Sequence, residues 1–114
     1  MGNFRELTVY SQAVALADEV WDAARQWPTF DRWTTGTQLV RAADSVGANI
    51  AEAFGRHKGD QRRFLYVARG SAHETEHWVD RALARGLVTN PGLAARAHEV
   101  GRMLNGLIRN LDPK

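Results

Sequence analysis

One stretch of this chain has the residue types and spacing of a zinc-dependent hydrolase. His73, Glu74 and His77 form the pattern H-E-x-x-H in a segment with helical periodicity. On a helix this spacing places both imidazoles on one face, with the glutamate available as a general base. A catalytic zinc needs a third protein ligand, and neither His57 nor His98 has the spacing of a known one. We therefore predict no metal site, no cofactor and no catalytic residue, and a small metal-dependent hydrolase is the less favoured alternative.

Basic residues cluster at the break between the second and third predicted helices. Arginine presents a planar fork that suits phosphate groups. Three interpretations stay open: a solvated hairpin end, a site for RNA or DNA phosphates, and a surface that pairs with acidic groups of a neighbouring subunit. His57 lies in the same turn, and the candidate nucleic-acid-binding residues are Arg56, Lys58, Arg62, Arg63 and Arg69.

Size and composition limit the protein class. The chain has 114 residues and a mass of 12.7 kDa, with 44% hydrophobic and 25% charged residues. These values predict one globular domain over residues 1–114. Cysteine is absent, which excludes disulfides and thiolate chemistry. The longest apolar run, residues 13–17, is too short to cross a membrane, and no signal peptide is recognisable, so we expect a cytoplasmic protein.

Charge is distributed unevenly along the chain, although the net charge is only +2. Residues 1–55 contain four basic and seven acidic groups, whereas residues 56–114 contain eleven basic and six acidic groups. This asymmetry permits a nucleic-acid partner without requiring one.

Apolar residues at helical spacing predict four helices, over residues 8–27, 35–57, 60–85 and 91–111. The first helix carries two adjacent apolar stripes, one of them running from Tyr10 to Ala24. In the fourth, apolar residues repeat at spacings of 4-3-4-3-4 from Leu93 to Leu111. No segment alternates with period two, so strands are not expected. Short connections between four helices predict an all-α, antiparallel up-down-up-down four-helix bundle.

Local signals predict where these helices begin and end. Thr35 and Gln38 have the form of a capping box for the second helix. Gly59 is the expected stop of that helix, and Asp60 is the expected N-cap of the third. The remaining signals are Pro28 after the first helix, Gly86 after the third, and Asn90 as the cap of the fourth.

The second helix carries a narrow polar stripe beside its apolar face. Serine and asparagine are mediocre helix formers, so Ser45 and Asn49 indicate specific hydrogen bonds, with Ser71 or Glu74 of the third helix as candidate partners. A solvated face is the alternative. The predicted structural polar network consists of Arg41, Ser45, Asn49, Glu52, Ser71 and Glu74.

Apolar and small residues exceed what a single bundle can bury. The second helix has a face of small residues, and several tryptophans, including Trp33, lie outside the main heptad positions. Exposed together, these residues would form a patch larger than soluble monomers usually carry. We expect self-association through a head-to-tail contact that closes into a ring. The candidate interface residues are Trp21, Gly47, Ala48, Ala51, Gly55 and Trp78.

The motifs of the second and third helices resemble a known family. Residues 38–56 contain Gln-x-x-Arg-Ala-Ala-x-Ser, Asn-Ile-Ala-Glu and Gly-Arg, followed by Phe64-Leu-x-x-Ala-x-Gly-Ser71 and Glu74. Together they resemble the four-helix-bundle family of 23S rRNA intervening-sequence proteins. Residues 4–10 and 13–17 also resemble the start of that family, and the resemblance is weakest in the fourth helix. Ala53 departs from the pattern, which usually has glycine there.

The resemblance implies a compact bundle that assembles into a ring, commonly a homopentamer. The chain is also similar to the accessory proteins of diversity-generating retroelements, which are basic pentameric rings that contact nucleic acid and a reverse transcriptase. The family is named for a genomic location rather than a demonstrated activity. We therefore expect a non-enzymatic homo-oligomer, a pentamer by this resemblance, with RNA or DNA as a candidate partner. An interaction scaffold for a protein, with no nucleic-acid role, is the alternative.

Overall fold

The computed structural model describes residues 3–111, apart from the side chain of Lys58. A short 3-10 turn, Phe4–Glu6, precedes helix α1, Thr8–Ala24. A helical turn, Thr29–Asp31, and a π-helix, Arg32–Gly36, run without a break into helix α2. The remaining helices are α2, Thr37–Ala53; α3, Lys58–Ala84; and α4, Gly92–Leu111. None of residues 3–111 forms a strand, so the all-α prediction is confirmed.

The four helices pack side by side around one core, each against two neighbours. Ser45 of α2 contacts Ser71 of α3. Thr35, which precedes Ser45 by ten residues, contacts Arg85, which follows Ser71 by fourteen residues. These two helices are therefore antiparallel. The pairs that show the same for α3 and α4 are Arg69 with Asn105 and Glu76 with His98. The bundle measures 46 × 21 × 20 Å, and no helix in the described part of the chain is long and apolar enough to cross a membrane.

Burial follows the predicted stripes closely in α1 and along most of α4. The buried residues of these stripes are Val9, Ala13, Leu16 and Val20 in α1, and Leu93, Ala97, Val100 and Leu104 in α4. Beyond Leu104 the heptad prediction is wrong, because Ile108 takes the buried position and Leu107 is only half-buried. A straight α-helix has 3.6 residues per turn, so a strict seven-residue repeat drifts off the core within a few turns.

The predicted start of the second helix is wrong. Pro28 serves as the N-cap of a helical segment that begins at Thr29, ahead of the expected capping box. Thr35 is instead buried inside the continuous helical path, and its hydroxyl accepts a hydrogen bond from Arg85 Nη1 at 2.7 Å. Trp27 explains the early start, because the turn after α1 folds this residue into the core. Burial of a tryptophan outweighs a cap worth about 1 kcal/mol.

The junction between α2 and α3 also differs from the prediction. α2 ends at Ala53 rather than near residue 57, and His57 is the extended N-cap residue of α3. The His57 carbonyl accepts a hydrogen bond from the backbone N–H of Gln61 at 2.7 Å. Gly59 therefore lies inside α3 rather than stopping α2. Asp60 occupies the first turn, where a carboxylate interacts favourably with the helix dipole.

The last connection is as predicted. Gly86 has a φ of 73°, and the N–H of Leu87 donates to the carbonyl of Ala82 at 2.9 Å, which closes the end of α3. The side chain of Asn90 accepts from the backbone N–H of Gly92 at 2.8 Å at the start of α4. Both ends therefore follow from local sequence alone.

Candidate functional site

Three residues of the expected polar network form a hydrogen-bonded chain between α2 and α3. Ser45 Oγ lies 2.8 Å from Ser71 Oγ. Asn49 Nδ2 donates to Ser45 Oγ at 3.0 Å and to the Ser45 carbonyl at 2.8 Å. Ser71 is buried, and the other two side chains are half-buried. The chain of bonds fixes the register of the two helices, because sliding either helix by one turn would break it.

The other three members lie outside this chain of bonds. Glu52 forms an exposed ion pair with Arg56 one turn later on the same segment. Glu74 accepts a long hydrogen bond of 3.4 Å from Trp78 Nε1. Arg41 is exposed and makes no hydrogen bond or ion pair within residues 3–111. The motif residues of α2 thus divide between a helix contact and a solvent-facing surface.

Sequence reasoning missed Thr75, which is fully buried and lies next to this network. Its hydroxyl donates to the Ser71 carbonyl at 2.8 Å, so a polar group is satisfied inside the core. The available signal was its position, since residue 75 falls on the same helical stripe as Ala72 and Val79. Threonine there was overlooked because only apolar residues were assigned to the core.

Two of the basic residues expected to bind nucleic acid, Arg56 and Arg63, lie at the ring of Phe64 near the start of α3. The guanidinium of Arg56 lies 4.9 Å from the Phe64 ring centroid, and that of Arg63 lies 4.5 Å from it. Arg63 also lies 3.6 Å from the Asp60 carboxylate. Arg62 is half-buried, and the side chain of Lys58 lies outside the described part. Carboxylates therefore accompany both exposed arginines of this group.

Arg69 is turned away from that group toward α4. Its Nη1 donates to Asn105 Oδ1 at 2.8 Å, and its guanidinium lies 4.8 Å from the centroid of the Tyr66 ring. Arg69 thus connects α3 with α4. The structure brings Arg56 and Arg63 together at one ring but does not add Arg69 to them.

The H-E-x-x-H residues do not form a metal centre in this structure. His73 and His77 are exposed, and the His77 ring packs edge-on against Trp78 at 4.8 Å. His98, the nearest further imidazole on α4, lies 3.0 Å from a carboxylate oxygen of Glu76 instead. Within residues 3–111 no three His, Cys, Asp or Glu side chains are grouped so that they could hold a metal ion.

The residues proposed for an assembly interface separate into two groups. Trp21 lines a cleft of about 290 Å³ at the junction of α1 with the π-helix and α2. Trp33 and Val40 line the same cleft, and arginines surround it at positions 25, 32 and 41. Trp78 lies on α3 and is half-buried. The cleft therefore combines two exposed indoles with cationic side chains, a composition typical of interaction surfaces.

The small residues of the predicted interface lie farther along α2 and in the turn after it. Ala48 and Gly55 are exposed, and Ala51 is half-buried. Gly47 corrects the sequence expectation, because it is buried inside the chain: a Cβ there would lie 3.6 Å from Tyr10 and 3.8 Å from Val14. Gly47 thus serves the contact between α1 and α2 and is not available to a neighbouring subunit.

Two carboxylates line the groove between α1 and α2. Asp18 and Asp44 flank a small cleft together with Ala48. Burial, followed by the nearby charge of Asp18, raises the pKa of Asp44 above its ordinary value of 3.8. Neither carboxylate has an ion-pair partner among the described side chains. The groove therefore holds uncompensated negative charge between apolar walls.

The fold is that of a small all-α helical bundle, and most of the candidate residues lie at its surface. The family model described as 23S rRNA-intervening sequence protein matches residues 5–106, so the chain belongs to this family. A crystal structure described as a protein with unknown function from the S23 ribosomal protein family of Bacteroides thetaiotaomicron is similar. It has a TM-score of 0.82 and 22% identity, and the match covers 89% of this chain and 98% of that one. No curated protein matches the sequence.

Proposed function

We propose that this protein is a non-enzymatic, cytoplasmic scaffold that works as a self-assembled oligomer. The observation that carries this proposal is the apolar surface of α1 and of the segment that leads into α2. Val14, Trp21, Phe30 and Trp33 are 37%, 56%, 76% and 70% exposed. Large aromatic side chains that lie exposed in a small protein usually mark a protein interface.

The form of the assembly follows from where this surface lies. It occupies one side of the bundle, so two copies can bury it only by facing each other or by docking it on a different surface of the next copy. The second arrangement is head to tail and closes into a ring when the rotation permits. The number five rests on the family resemblance alone.

Native mass spectrometry and light scattering at micromolar concentration test this proposal. We expect a mass that is a multiple of 12.7 kDa, and five copies if the resemblance extends to stoichiometry. Replacing Trp21 and Trp33 with serine should release monomers. Phe54→Ser is the control, because it removes a partly exposed aromatic residue at the other end of α2. A wild-type monomer would refute the proposal, whereas a dimer or tetramer would discard only the number five.

A second candidate function is binding of RNA or DNA backbones at the start of α3. The supporting observation is the pair of exposed guanidiniums, Arg56 and Arg63, at the Phe64 ring, with Arg62 next to Arg63 in the sequence. Such a site would contact phosphates rather than read bases. In a ring, weak contacts would be repeated by symmetry and would add through multivalency.

Fluorescence anisotropy with a single-stranded DNA and an RNA of mixed sequence tests this second function. Affinity should fall steeply between 50 and 200 mM salt, by about tenfold or more, and should depend little on sequence. Arg62→Glu with Arg63→Glu should abolish binding. The matched control is Arg81→Glu with Arg102→Glu, which changes the net charge equally at exposed positions away from Arg62 and Arg63. Absence of binding at low salt, or equal loss in the control, would leave only a scaffold for a protein partner.

A further inference from the structure

Charge divides the bundle into two sides of opposite sign. α1, α2 and the segments joined to them contain the residues up to 55, with four basic and seven acidic groups. α3 and α4 belong to residues 56–114, with eleven basic and six acidic groups. Because α1 packs on α2 and α3 packs on α4, the sequence asymmetry becomes a spatial one. Copies of this chain therefore attract each other when the α1–α2 side of one meets the α3–α4 side of the next.

The acidic side contains a groove that lacks a cation. Asp18 and Asp44 lie in it beside Val14, and the exposed indole of Trp21 lies one turn beyond Asp18 on α1. The charge of Asp18 acts unfavourably on Asp44, whose carboxylate is also partly desolvated by burial. An arginine from outside the chain would compensate this negative charge.

The basic side contains an exposed ridge that fits such a groove. Six residues of α3 at spacings of 4-3-4-3-4 form one stripe along the helix, and all six are exposed. Its midpoint is Gly70, where a Cβ would meet nothing within 4 Å, so another backbone can approach closely. The members of the stripe are Arg63, Val67, Gly70, Glu74, His77 and Arg81.

Spacing identifies which arginine of the ridge matches the groove. Val67, an exposed aliphatic residue, follows Arg63 by one turn, about 6 Å along the helix. Trp21 likewise follows Asp18 by about one turn. Arg81, at the other end of the stripe, has Trp78 about one turn away, but this indole is half-buried and contacts His77 and Glu74 of its own helix. The Arg63 end therefore presents charge and an exposed apolar side chain about one helical turn apart, as Asp18 and Trp21 do.

We propose that the Arg63 end of α3 from a second copy docks in the groove between α1 and α2, with Arg63 against Asp18 and Asp44. This inference rests on the proposed self-assembly and names both halves of its interface. The contact joins two different surfaces, so it is heterologous and propagates from copy to copy. It also gives the basic group at the start of α3 a role in pairing with acidic groups of a neighbouring subunit.

Charge reversal on each half tests the pairing. Asp44→Arg and Arg63→Asp should each weaken assembly about tenfold or more in dissociation constant, because like charges then face each other. The double variant, which carries both changes in one chain, should assemble like the wild type. Arg81→Glu is the matched control on the same stripe and should leave assembly unchanged. Far-UV circular dichroism of each variant confirms that loss of assembly is not loss of folding.

Mixing the two single variants provides a second readout. Each supplies the complementary charge for both surfaces of the other, so a 1:1 mixture should form oligomers in which the two variants alternate. Strict alternation closes only rings with an even number of subunits, which native mass spectrometry resolves when one variant carries a mass tag. Recovery in the mixture would show that the charges face each other across the contact.

Each remaining outcome identifies which proposal fails. A monomeric wild type would overturn both self-assembly and this contact. An oligomeric wild type whose single variants assemble equally well would overturn the contact alone. Single variants that dissociate while the double variant does not recover would also overturn the pairing. Loss of oligonucleotide binding by Arg63→Asp at unchanged oligomeric mass would assign Arg63 to a phosphate site instead.

Discussion

Two tryptophans at the same end of the bundle lie in opposite environments. Trp27 is 6% exposed and belongs to the core, where its ring lies beside Gly36. Trp33, six residues later, is 70% exposed. Replacing each with alanine removes the same atoms from two opposite environments. The two variants should therefore differ sharply in the free energy of unfolding.

The expected magnitudes follow from the buried areas. A tryptophan side chain covers roughly 200 Å², so Trp27 removes about 190 Å² from water and Trp33 about 60 Å². At about 25 cal/mol per Å² these areas correspond to ~5 and ~1.5 kcal/mol, and the second figure is an upper bound. Trp27→Ala should thus cost about 3–5 kcal/mol, and Trp33→Ala about 1 kcal/mol.

Urea unfolding followed by circular dichroism measures both values, at a dilution where the wild type is monomeric. Repeating the titration at high concentration separates folding from assembly, because association stabilises the native chain by mass action. Under the proposed self-assembly, the wild type should gain stability with concentration, and Trp33→Ala should lose that gain. Equal destabilisation by the two variants at high dilution would refute the assignment of Trp27 to the core and Trp33 to the surface.

Three further predictions concern the monomer at high dilution. Ser45→Ala and Ser71→Ala should each cost about 1 kcal/mol but less than additively together, with a coupling of about 0.5–1.5 kcal/mol in a double-mutant cycle of urea unfolding; strict additivity would contradict the shared hydrogen bond. Burial and a neighbouring carboxylate raise the pKa of Asp44, so ionisation above pH 3.8 destabilises the folded chain. Asp44→Asn should therefore raise the melting temperature at pH 7 but not near pH 3, and an equal gain at both would contradict that cause. Gly86→Ala should cost about 1–2 kcal/mol because its φ is 73°, whereas Gly70→Ala, exposed within α3, should stabilise by up to about 1 kcal/mol; thermal melts of both variants check the contrast.

Sequence periodicity predicted the helices well where one face of the helix packs on the core. The stripe from Val9 to Val20 faces the core throughout, and Gly86 and Asn90 end and begin their helices as expected. These features depend on side-chain spacing and on local backbone preferences, and a few adjacent residues determine both. The all-α class followed from them.

Helix ends that depend on tertiary packing were not predictable in the same way. The capping-box pattern at Thr35 competes with burial of Trp27, and burial is the larger free energy. Asp60 is a favourable residue both as an N-cap and in the first turn of a helix, so its type alone could not place the start of α3.

The candidate site was predictable only where local helix propensity gave a signal. Poor helix formers on α2 indicated hydrogen bonds, and Ser45 does bond to Ser71, one of the two named partners. Whether Glu74 belongs to this hydrogen-bonded network depends on how α3 is rotated about its own axis. Periodicity identifies the face that packs on the core but not this rotation angle. Thr75 shows the opposite case, a polar residue that the core accepts because Ser71 supplies an acceptor.

The geometry of α3 explains why His73 and His77 lie outside the core. Metal sites in helical bundles are built from side chains on facing helices that project into the core. The inward positions of α3 around the motif are Ala72, Thr75 and Val79, so His73 and His77 necessarily point outward. The helix that could supply a further ligand to His73 presents Gly101 there, which has no side chain to offer. A bundle only 20 Å across leaves no second layer among the described residues to complete such a site.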